Sequence, residues 1–298
     1  MGAGRNDHSA ARERGFHDRW AEGIEPGTVS VEAAFEAVTA QENRFIMEIL
    51  GALGDRKLLD VGAGTGESPV YFAMKGAKVT AVDVSPKMIA VCEESARRHG
   101  VEINTVVSSL EAFEPEEEAF DVVYAANVLH HVADRDSFFR KARRALKTGG
   151  LFVAWDPLRY NPFINVYRRL AADVRTEDER PLGVSDLRLA RRYFPDLRHR
   201  EFWLTTLTLF FKYFLIDRKD PGKVRYWKAM LAETREGIGW WFLPLKALDD
   251  LLLRLPVLRF MAWNVVQWGT KSGDIPPGTG GSRTRFSLSA GDSCDFPG

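Results

Sequence analysis

Three glycines follow a short apolar segment in the N-terminal third of the chain. Leu58 to Val61 is apolar apart from Asp60, and Gly62, Gly64 and Gly66 then occupy alternate positions. Glycine tolerates positive φ and carries no Cβ, so such a turn lets a backbone approach a nucleotide-like ligand at a helix start. The pattern predicts either a nucleotide-binding turn or a tight strand–helix turn without a ligand.

An acidic residue after the next apolar segment narrows this choice. Asp83 follows a second predicted strand and lies about twenty residues past the first glycine, where a doubly wound fold places a carboxylate for ribose hydroxyls. The spacing is G-x-G-x-G, and Glu67 comes next. A dinucleotide fingerprint instead requires G-x-G-x-x-G beneath its pyrophosphate. The sequence therefore favours a ligand that has a ribose but no pyrophosphate and that tolerates a neighbouring acid.

Four segments, in this order along the chain, resemble the class I S-adenosylmethionine (SAM) dependent methyltransferases. They are Asp60-Val-Gly-Ala-Gly-Thr-Gly66, Ala81-Val-Asp-Val-Ser-Pro-Lys-Met88, Phe120-Asp-Val-Val-Tyr-Ala-Ala-Asn-Val-Leu-His-His-Val132 and Leu146-Lys-Thr-Gly-Gly-Leu-Phe-Val153. Within that class, the chain resembles the large bacterial group that acts on small molecules or lipids. The resemblance implies an α/β, Rossmann-like fold with a seven-stranded, mostly parallel sheet and helices on both faces.

The resemblance also implies which residues bind SAM and its product, S-adenosylhomocysteine (SAH). Asp60 is expected at the methionine end, although it could be only a turn cap, and Asp83 is expected to accept both ribose hydroxyls. In chain order, the expected cofactor-binding residues are Asp60, Gly62, Gly64, Gly66, Asp83, Val84, Met88, Ser109, Leu110 and Asn127.

Two adjacent histidines, His130 and His131, follow the predicted fourth strand. An imidazole there could take a proton from a hydroxyl or amine nucleophile, because its unperturbed pKa lies near physiological pH. Either histidine could be the base, or the pair could be part of the architecture. The six histidines and two cysteines show no metal-ligand spacing, so no metal is expected.

The loop that follows the predicted fifth strand contains Asp156, Arg159 and Tyr160. Ligands of open α/β sheets bind outside the carboxyl ends of the strands, so these residues are candidates for substrate contacts. Alternatively, the loop is simply exposed to solvent and makes no substrate contacts.

Composition limits the other functional classes. The 298 residues include 41 Lys+Arg and 41 Asp+Glu, so no overall charge favours nucleic acid. Two cysteines fit a reducing, cytoplasmic compartment. The longest apolar segment, Phe202 to Ile216, is shorter than the roughly 20 residues that span a bilayer.

The element pattern, together with the lid and the seven strands that the resemblance implies, predicts a layout with five parts. These are an N-terminal helical lid at 1–50, the core at 51–207, an aromatic helical insert at 208–260, a last strand within 261–270 and a disordered tail at 271–298. Residues 1–15 are expected to be frayed, and Phe16 and Trp20 either close over the cofactor or pin the N-terminus to the core. Strands are expected at 57–61, 78–83, 103–107, 121–126, 151–155, 198–207 and 262–268, with core helices near 67–75, 86–98 and 135–147.

The insert at 208–260 is rich in aromatic residues and has basic residues, among them Lys212, Arg218 and Lys219, beside its apolar segment. It could be a lid over an apolar acceptor, a face that contacts membrane lipid, a dimer face or a small additional core. We therefore predict a SAM-dependent methyltransferase that acts on a bulky, mainly apolar small molecule or lipid, with peripheral membrane contact and oligomeric state left open. The alternatives are a SAM-binding regulator or scaffold without turnover and a nucleotide-dependent oxidoreductase.

Overall fold

A computed structural model describes residues 3–170, 179–220, 226, 230 and 235–273. Seven strands form one sheet: β1 Lys57–Val61, β2 Lys78–Asp83, β3 Asn104–Val107, β4 Phe120–Ala126, β5 Leu146–Pro157, β6 Arg198–Phe202 and β7 Asn264–Thr270. Their order is β3-β2-β1-β4-β5-β7-β6, and β7 alone runs antiparallel to its neighbours. The predicted seven-stranded, mostly parallel sheet is confirmed.

The helices that precede or follow these strands cover both faces of the sheet. They are α1 Ala3–Glu22, α2 Val31–Glu36, α3 Gln41–Leu50, α4 Glu67–Met74, α5 Pro86–Arg98, α6 Arg135–Ala145, α7 Pro162–Leu170, α8 Val184–Tyr193, α9 Thr208–Phe211, α10 Arg235–Leu252 and α11 Pro256–Arg259. A π-helical turn, Lys212–Ile216, follows α9. None of the described helices combines the length and the apolarity required to cross a bilayer.

Alternation along the strands divides the apolar core between the two faces. In β4, Val122 and Tyr124 belong to one buried cluster, whereas Val123 and Ala125 belong to the other. Successive strand side chains point to opposite faces, and both faces are covered, so the strand is apolar throughout. Packing on both faces holds the strands in place, and it thereby positions the loops at the carboxyl edge of the sheet.

Several predicted boundaries are wrong, each for a local physical reason. The third core helix ends at Ala145, because Leu146 already pairs with Phe120 in the sheet. Strand β6 ends at Phe202, because Trp203 adopts φ +68°, which an extended strand does not accommodate.

The expected fraying of residues 1–15 is also wrong for 3–15, the part of that range which the structure describes, because helix α1 begins at Ala3. Its last turns are anchored: Trp20 and Ala21 pack near Met88, and the Ser85 hydroxyl donates to Asp18 at 2.6 Å. Once a helix is anchored, each further residue extends it at little cost.

The expected insert lies between β6 and β7, and most of its described residues are helical. Two expectations fall on residues outside the described ranges, namely the tail from 274 onward and the basic residues at 223, 225 and 228. The five-part division of the chain stays a prediction.

Candidate active site

A cavity of about 590 Å³ lies at the carboxyl edge of the sheet. Its lining includes the glycine turn after β1, the ends of β2, β4 and β5, and the start of β7. Helix α1 contributes Phe16, His17 and Trp20 to the same lining. The sheet edge and the N-terminal helix together therefore enclose one space.

The glycine turn brings the backbone itself to this cavity, since Gly62 and Gly64 both belong to the lining. Gly62 has φ +79°, and a Cβ added there would lie 2.0 Å from Cγ2 of Val128. Gly64 has φ +53°, and its N–H donates to Oδ2 of Asp83 at 2.8 Å. The turn therefore requires glycine at position 62 for both conformation and space.

Asp83 is the carboxylate that links the turn to β2. Its Oδ1 accepts from the N–H of Ser85 at 2.9 Å, and only 7% of the residue is exposed. Burial raises the pKa of Asp83, and the two backbone donors oppose that rise. A carboxylate offers about four lone-pair sites, so these backbone donors leave room for a donor on a ligand in the cavity.

Asp60 is fully buried at the end of β1, and neither carboxylate oxygen has a hydrogen-bond partner among the described residues. Burial raises the pKa of Asp60 to about 7. A buried carboxylate is costly to keep ionised unless a positive group or donors compensate it. Asp60 therefore has a carboxyl group whose ionisation is disfavoured in the ligand-free protein.

His130 and Asp156 form a buried pair at the ends of β4 and β5. His130 Nδ1 lies 2.7 Å from Asp156 Oδ1, and the His130 backbone N–H donates to the same oxygen at 3.1 Å. Burial raises the pKa of Asp156 to about 8. When Asp156 is ionised and His130 donates from Nδ1, the imidazole lone pair lies on Nε2, and the ring can accept a proton.

His131 has a different partner. Its Nδ1 lies 3.6 Å from the Glu13 carboxylate on α1, and its ring centroid lies 4.1 Å from that of His130. Donor atoms of Glu13, His17 and His131 lie within 4.8 Å of one another, a proximity that the sequence spacing does not reveal. The two histidines, which the sequence does not distinguish, therefore have different carboxylate partners in the folded chain.

Most of the predicted cofactor residues meet at this cavity, and three do not. The lining includes Gly62, Gly64, Asp83, Val84, Ser109, Leu110 and Asn127. Asp60, Gly66 and Met88 are outside the lining. Met88 packs against α1 instead, because α5 turns it toward Trp20 and Ala21.

The predicted substrate loop needs correction. Asp156 is completely buried against His130, so it positions that ring and does not face the cavity. Arg159 contacts Asp186 at 3.2 Å, and the Tyr160 hydroxyl accepts from the N–H of Val184 at 3.0 Å. None of the three belongs to the described lining, since the loop folds back onto α8.

The opposite wall consists of residues that the sequence analysis did not identify. They come from α3, β4, β5, α7 and the segments beside β6 and β7, namely Glu42, Asn43, Tyr124, Trp155, Tyr167, Trp203, Trp263 and Asn264. Asn264 Nδ2 donates to Glu42 Oε1 at 2.6 Å across 222 positions of sequence. The one local sequence signal for this pair was Glu42, an acidic residue on the mostly apolar buried face of α3.

Acidic side chains predominate among the charged residues of the described lining. Six carboxylate residues contribute to it, and no described lysine or arginine does; the acids are Glu13, Glu42, Glu67, Asp83, Glu111 and Glu179. Such a lining disfavours an anionic ligand and favours a neutral or cationic one.

Comparison with known proteins agrees with this geometry. Residues 59–154 match the family described as a methyltransferase domain. The chain is 39% identical over 97 residues to a ubiquinone biosynthesis O-methyltransferase from Methylobacterium sp. (strain 4-46), covering 33% of this chain and 39% of that protein. It is 34% identical over 142 residues to 27-O-demethylrifamycin SV methyltransferase from Amycolatopsis mediterranei, covering 46% and 52%. The matches thus span about half or less of the length of these relatives.

Solved structures share the fold at low sequence identity. A Haemonchus contortus phosphoethanolamine N-methyltransferase 2 in complex with phosphomonomethylethanolamine and S-adenosylhomocysteine superimposes with a TM-score of 0.52 at 18% identity, covering 78% of this chain and 52% of that one. The YcgJ protein of Bacillus subtilis gives 0.50 at 16% identity, covering 78% and 100%. At these identities the likeness concerns the fold alone.

Proposed function

We propose that the chain is a class I SAM-dependent methyltransferase that methylates an O, N or C nucleophile of a bulky, mainly apolar small molecule or lipid, a proposal supported by the match of residues 59–154 to the methyltransferase domain family. One observation carries the proposal. The ribose-type carboxylate Asp83 and the imidazole His130, held by Asp156, line a single cavity at the carboxyl edge of the sheet. A cofactor and an acceptor bound there would be neighbours.

The residues at the first two strand ends suit SAM. Asp83 would accept the ribose hydroxyls with its remaining lone pairs, and the Gly62–Gly64 turn would lie against the methionine portion. Asp60 is buried just before this turn and outside the described lining, so it would act on the positive charge of the methionine portion only at a distance. Val84, Ser109 and Leu110 would surround the adenine, and Asn127 would lie near the sulfonium. SAM itself supplies a methyl group that the sulfonium activates for in-line transfer.

The protein's own contribution to the chemistry is positioning and proton removal. His130 Nε2 would take the proton from a hydroxyl or amine as that group becomes the nucleophile, and Asp156 would hold the ring and stabilise the imidazolium. This role favours an O or N nucleophile, because those groups lose a proton on methylation. The paired geometry favours His130 over His131 as the base.

The acceptor would lie against the aromatic wall. Trp155, Trp203 and Trp263 line this part of the cavity, and such rings bury a large apolar area. The curated relatives are named for ubiquinone and rifamycin chemistry, which agrees with an extended, mainly apolar acceptor.

We also propose that one outer surface contacts membrane lipid. On α7, Tyr167 lines the cavity, while Phe163, Val166 and Leu170 are exposed. The neighbouring residues Phe211, Phe214, Leu215 and Ile216 are exposed as well, and the rings of Phe163 and Phe211 lie 5.9 Å apart. An apolar surface beside the cavity and next to basic residues would let an acceptor pass from lipid into the site.

Turnover tests the proposal. The protein is incubated with methyl-labelled SAM and a bacterial metabolite and lipid extract, and mass spectrometry then detects compounds that gain one labelled methyl group. Label transfer that depends on His130 is the expected result. SAM binding without transfer to any extract compound would instead identify a SAM-binding scaffold.

A further inference from the structure

Glu42 and Asn264 form a buried polar pair within the aromatic wall of the cavity. Their exposed fractions are 6% and 4%, and both line the cavity. Asn264 donates its amide N–H to Glu42, while its Oδ1 has no hydrogen-bond partner among the described residues. A buried carbonyl oxygen without a donor is costly, and a donor on a ligand would relieve that cost.

The pair presents acceptors to the cavity. The Asn264 amide N–H is used by Glu42, and the Trp203 side chain approaches the same carboxylate as a second donor. Burial raises the pKa of Glu42, so its ionised form requires a positive partner. With Glu42 ionised, the groups left for a ligand are mainly carboxylate and carbonyl oxygens, beside the second N–H of the Asn264 amide. Trp155, Trp203 and Trp263 line the cavity with them, and aromatic faces attract cations.

The pair lies close to the site of methyl transfer. Asn264 pairs with Pro157 across β5 and β7, and Pro157 follows Asp156, the residue that holds His130. A group bound between Glu42 and Asn264 would therefore fix one end of an acceptor whose nucleophile reaches His130.

Building on the function proposed above, we propose that Glu42 and Asn264 form a subsite for a protonated amine of the acceptor molecule. An ammonium carries several N–H donors and no acceptor, which matches a site made of acceptors and aromatic faces. A hydroxyl has one donor and would leave one of the two acceptors unpaired. The ammonium is not the methylated group, because a protonated nitrogen has no lone pair to attack with.

The acid-rich lining supports this assignment. No described lysine or arginine lines the cavity, and the described acids there outnumber the described histidines, so a phosphate or carboxylate on the acceptor is disfavoured. The inferred acceptor class is thus an apolar molecule with a basic amine and a separate hydroxyl or amine nucleophile.

Two probes of equal size test the subsite. The full-length protein is titrated with n-butylammonium and with 1-butanol at neutral pH, with and without SAH, and the tryptophan fluorescence of the cavity wall is recorded. Saturable millimolar binding of butylammonium is expected, about tenfold tighter than that of butanol, because its hydrogen bonds are charge-assisted. Glu42→Gln should remove this preference, and Asn264→Ser should weaken it.

The matched control is Glu48→Gln, which changes an exposed acid on the same helix and should leave the preference intact. Equal affinities, a preference for butanol, a preference that survives Glu42→Gln, or no saturation by either probe would each overturn the subsite. Calorimetry with SAH on the same samples separates the two proposals. Retained SAH binding without amine preference refutes the subsite alone, and amine preference without SAH binding refutes the methyltransferase function alone.

Discussion

At the scale of single residues, the site depends on buried carboxylates with different partners. Asp83 has two backbone donors, Asp156 has a histidine, and Asp60 has no hydrogen-bond donor among the described residues. Burial raises the pKa of all three, most clearly for Asp60 and Asp156. For Asp60 and Asp156, this burial brings the pKa into the physiological pH range.

The His130–Asp156 pair predicts a pH-dependent rate. The pair acts as a base only after it loses its shared proton, so methyl transfer should rise with pH toward an apparent pKa of about 8. His130→Gln should lower kcat by roughly a hundredfold or more and abolish this pH dependence, while SAH affinity stays unchanged. His131→Gln is the matched comparison variant, and single-turnover rates are measured for both variants. A flat profile in the wild-type enzyme, or an unslowed His130→Gln variant, would contradict the assignment.

Asp60 predicts a pH-dependent stability. Its pKa is raised in the folded protein, so folding favours the protonated form, and stability falls as pH rises from about 4 to about 7. Asp60→Asn mimics the protonated form and should increase the free energy of unfolding of the ligand-free protein by up to about 4 kcal/mol at about pH 8. The difference should vanish below about pH 3, where Asp60 is protonated in both the folded and the unfolded state.

Thermal and urea unfolding at several pH values measure this effect. Asp55→Asn, a change at an exposed carboxylate on the surface, should show no such gain. An Asp60→Asn variant that is less stable than the wild type at about pH 8 would count against a strained, unpaired carboxylate.

Sequence reasoning identified Asp83 and the two histidines because each directly follows a strand end. It assigned Asp156 to substrate, because nothing in the sequence shows that its side chain turns toward His130. Sequence reasoning did not identify Glu42 and Asn264 as site residues for a related reason. Their contact joins positions that only the folded sheet brings together.

At the scale of elements, the turn between β1 and α4 is the most constrained segment of the site. Its N–H groups at positions 62 and 63 both donate to the Val82 carbonyl, at 2.8 and 3.0 Å, which fixes the turn against β2. Gly62 approaches Val128 closely, so the turn also contacts the segment that leads to His130.

Gly62→Ala should therefore be severely destabilising. The new Cβ meets Val128 in an already strained conformation, and we expect a loss of about 3 kcal/mol or more in urea unfolding, with weaker SAH binding. Gly100→Ala is the control, because Gly100 also has positive φ but no atom within 4 Å of an added Cβ. That change should cost only about 1 kcal/mol. Equal losses at both positions would show that contact with Val128 is unimportant.

Element types were predictable because strands and helices alternate with strong apolar patterns and clear caps, such as Ser85 before Pro86. Element ends were less predictable. Phe202 is the last residue of β6 because of the backbone angle of Trp203, and α6 stops early because Leu146 finds a strand partner. Both depend on tertiary pairing.

At the scale of the whole molecule, the chain combines an acid-lined interior with an apolar outer surface beside it. The sequence does not reveal this separation of acidic interior and apolar surface, because its 41 basic and 41 acidic residues give no net charge. The sequence correctly predicted the sheet and the helical insert, but only the folded chain shows which aromatic residues line the cavity and which are exposed.

The exposed surface predicts binding to anionic lipid. Leu215 and Ile216 are 65% and 75% exposed, so L215S/I216S should reduce co-sedimentation with phosphatidylserine vesicles severalfold, through loss of buried apolar area. Binding by the wild type should weaken with salt, because the neighbouring lysines contribute electrostatically. Val257→Ser, at an equally exposed valine on α11, should retain binding. Absence of wild-type binding at low salt would eliminate the membrane contact.

The central claim is that the cavity beside Asp83 binds SAM, and calorimetry with SAH tests it most directly. The wild-type protein should bind SAH with one-to-one stoichiometry and show no affinity for NAD. Asp83→Ala should weaken SAH binding by roughly tenfold or more, the loss expected for hydrogen bonds to a charged group, whereas Asp55→Ala should not. Absence of SAH binding by the wild type, or an Asp83→Ala variant with unchanged affinity, would contradict the account.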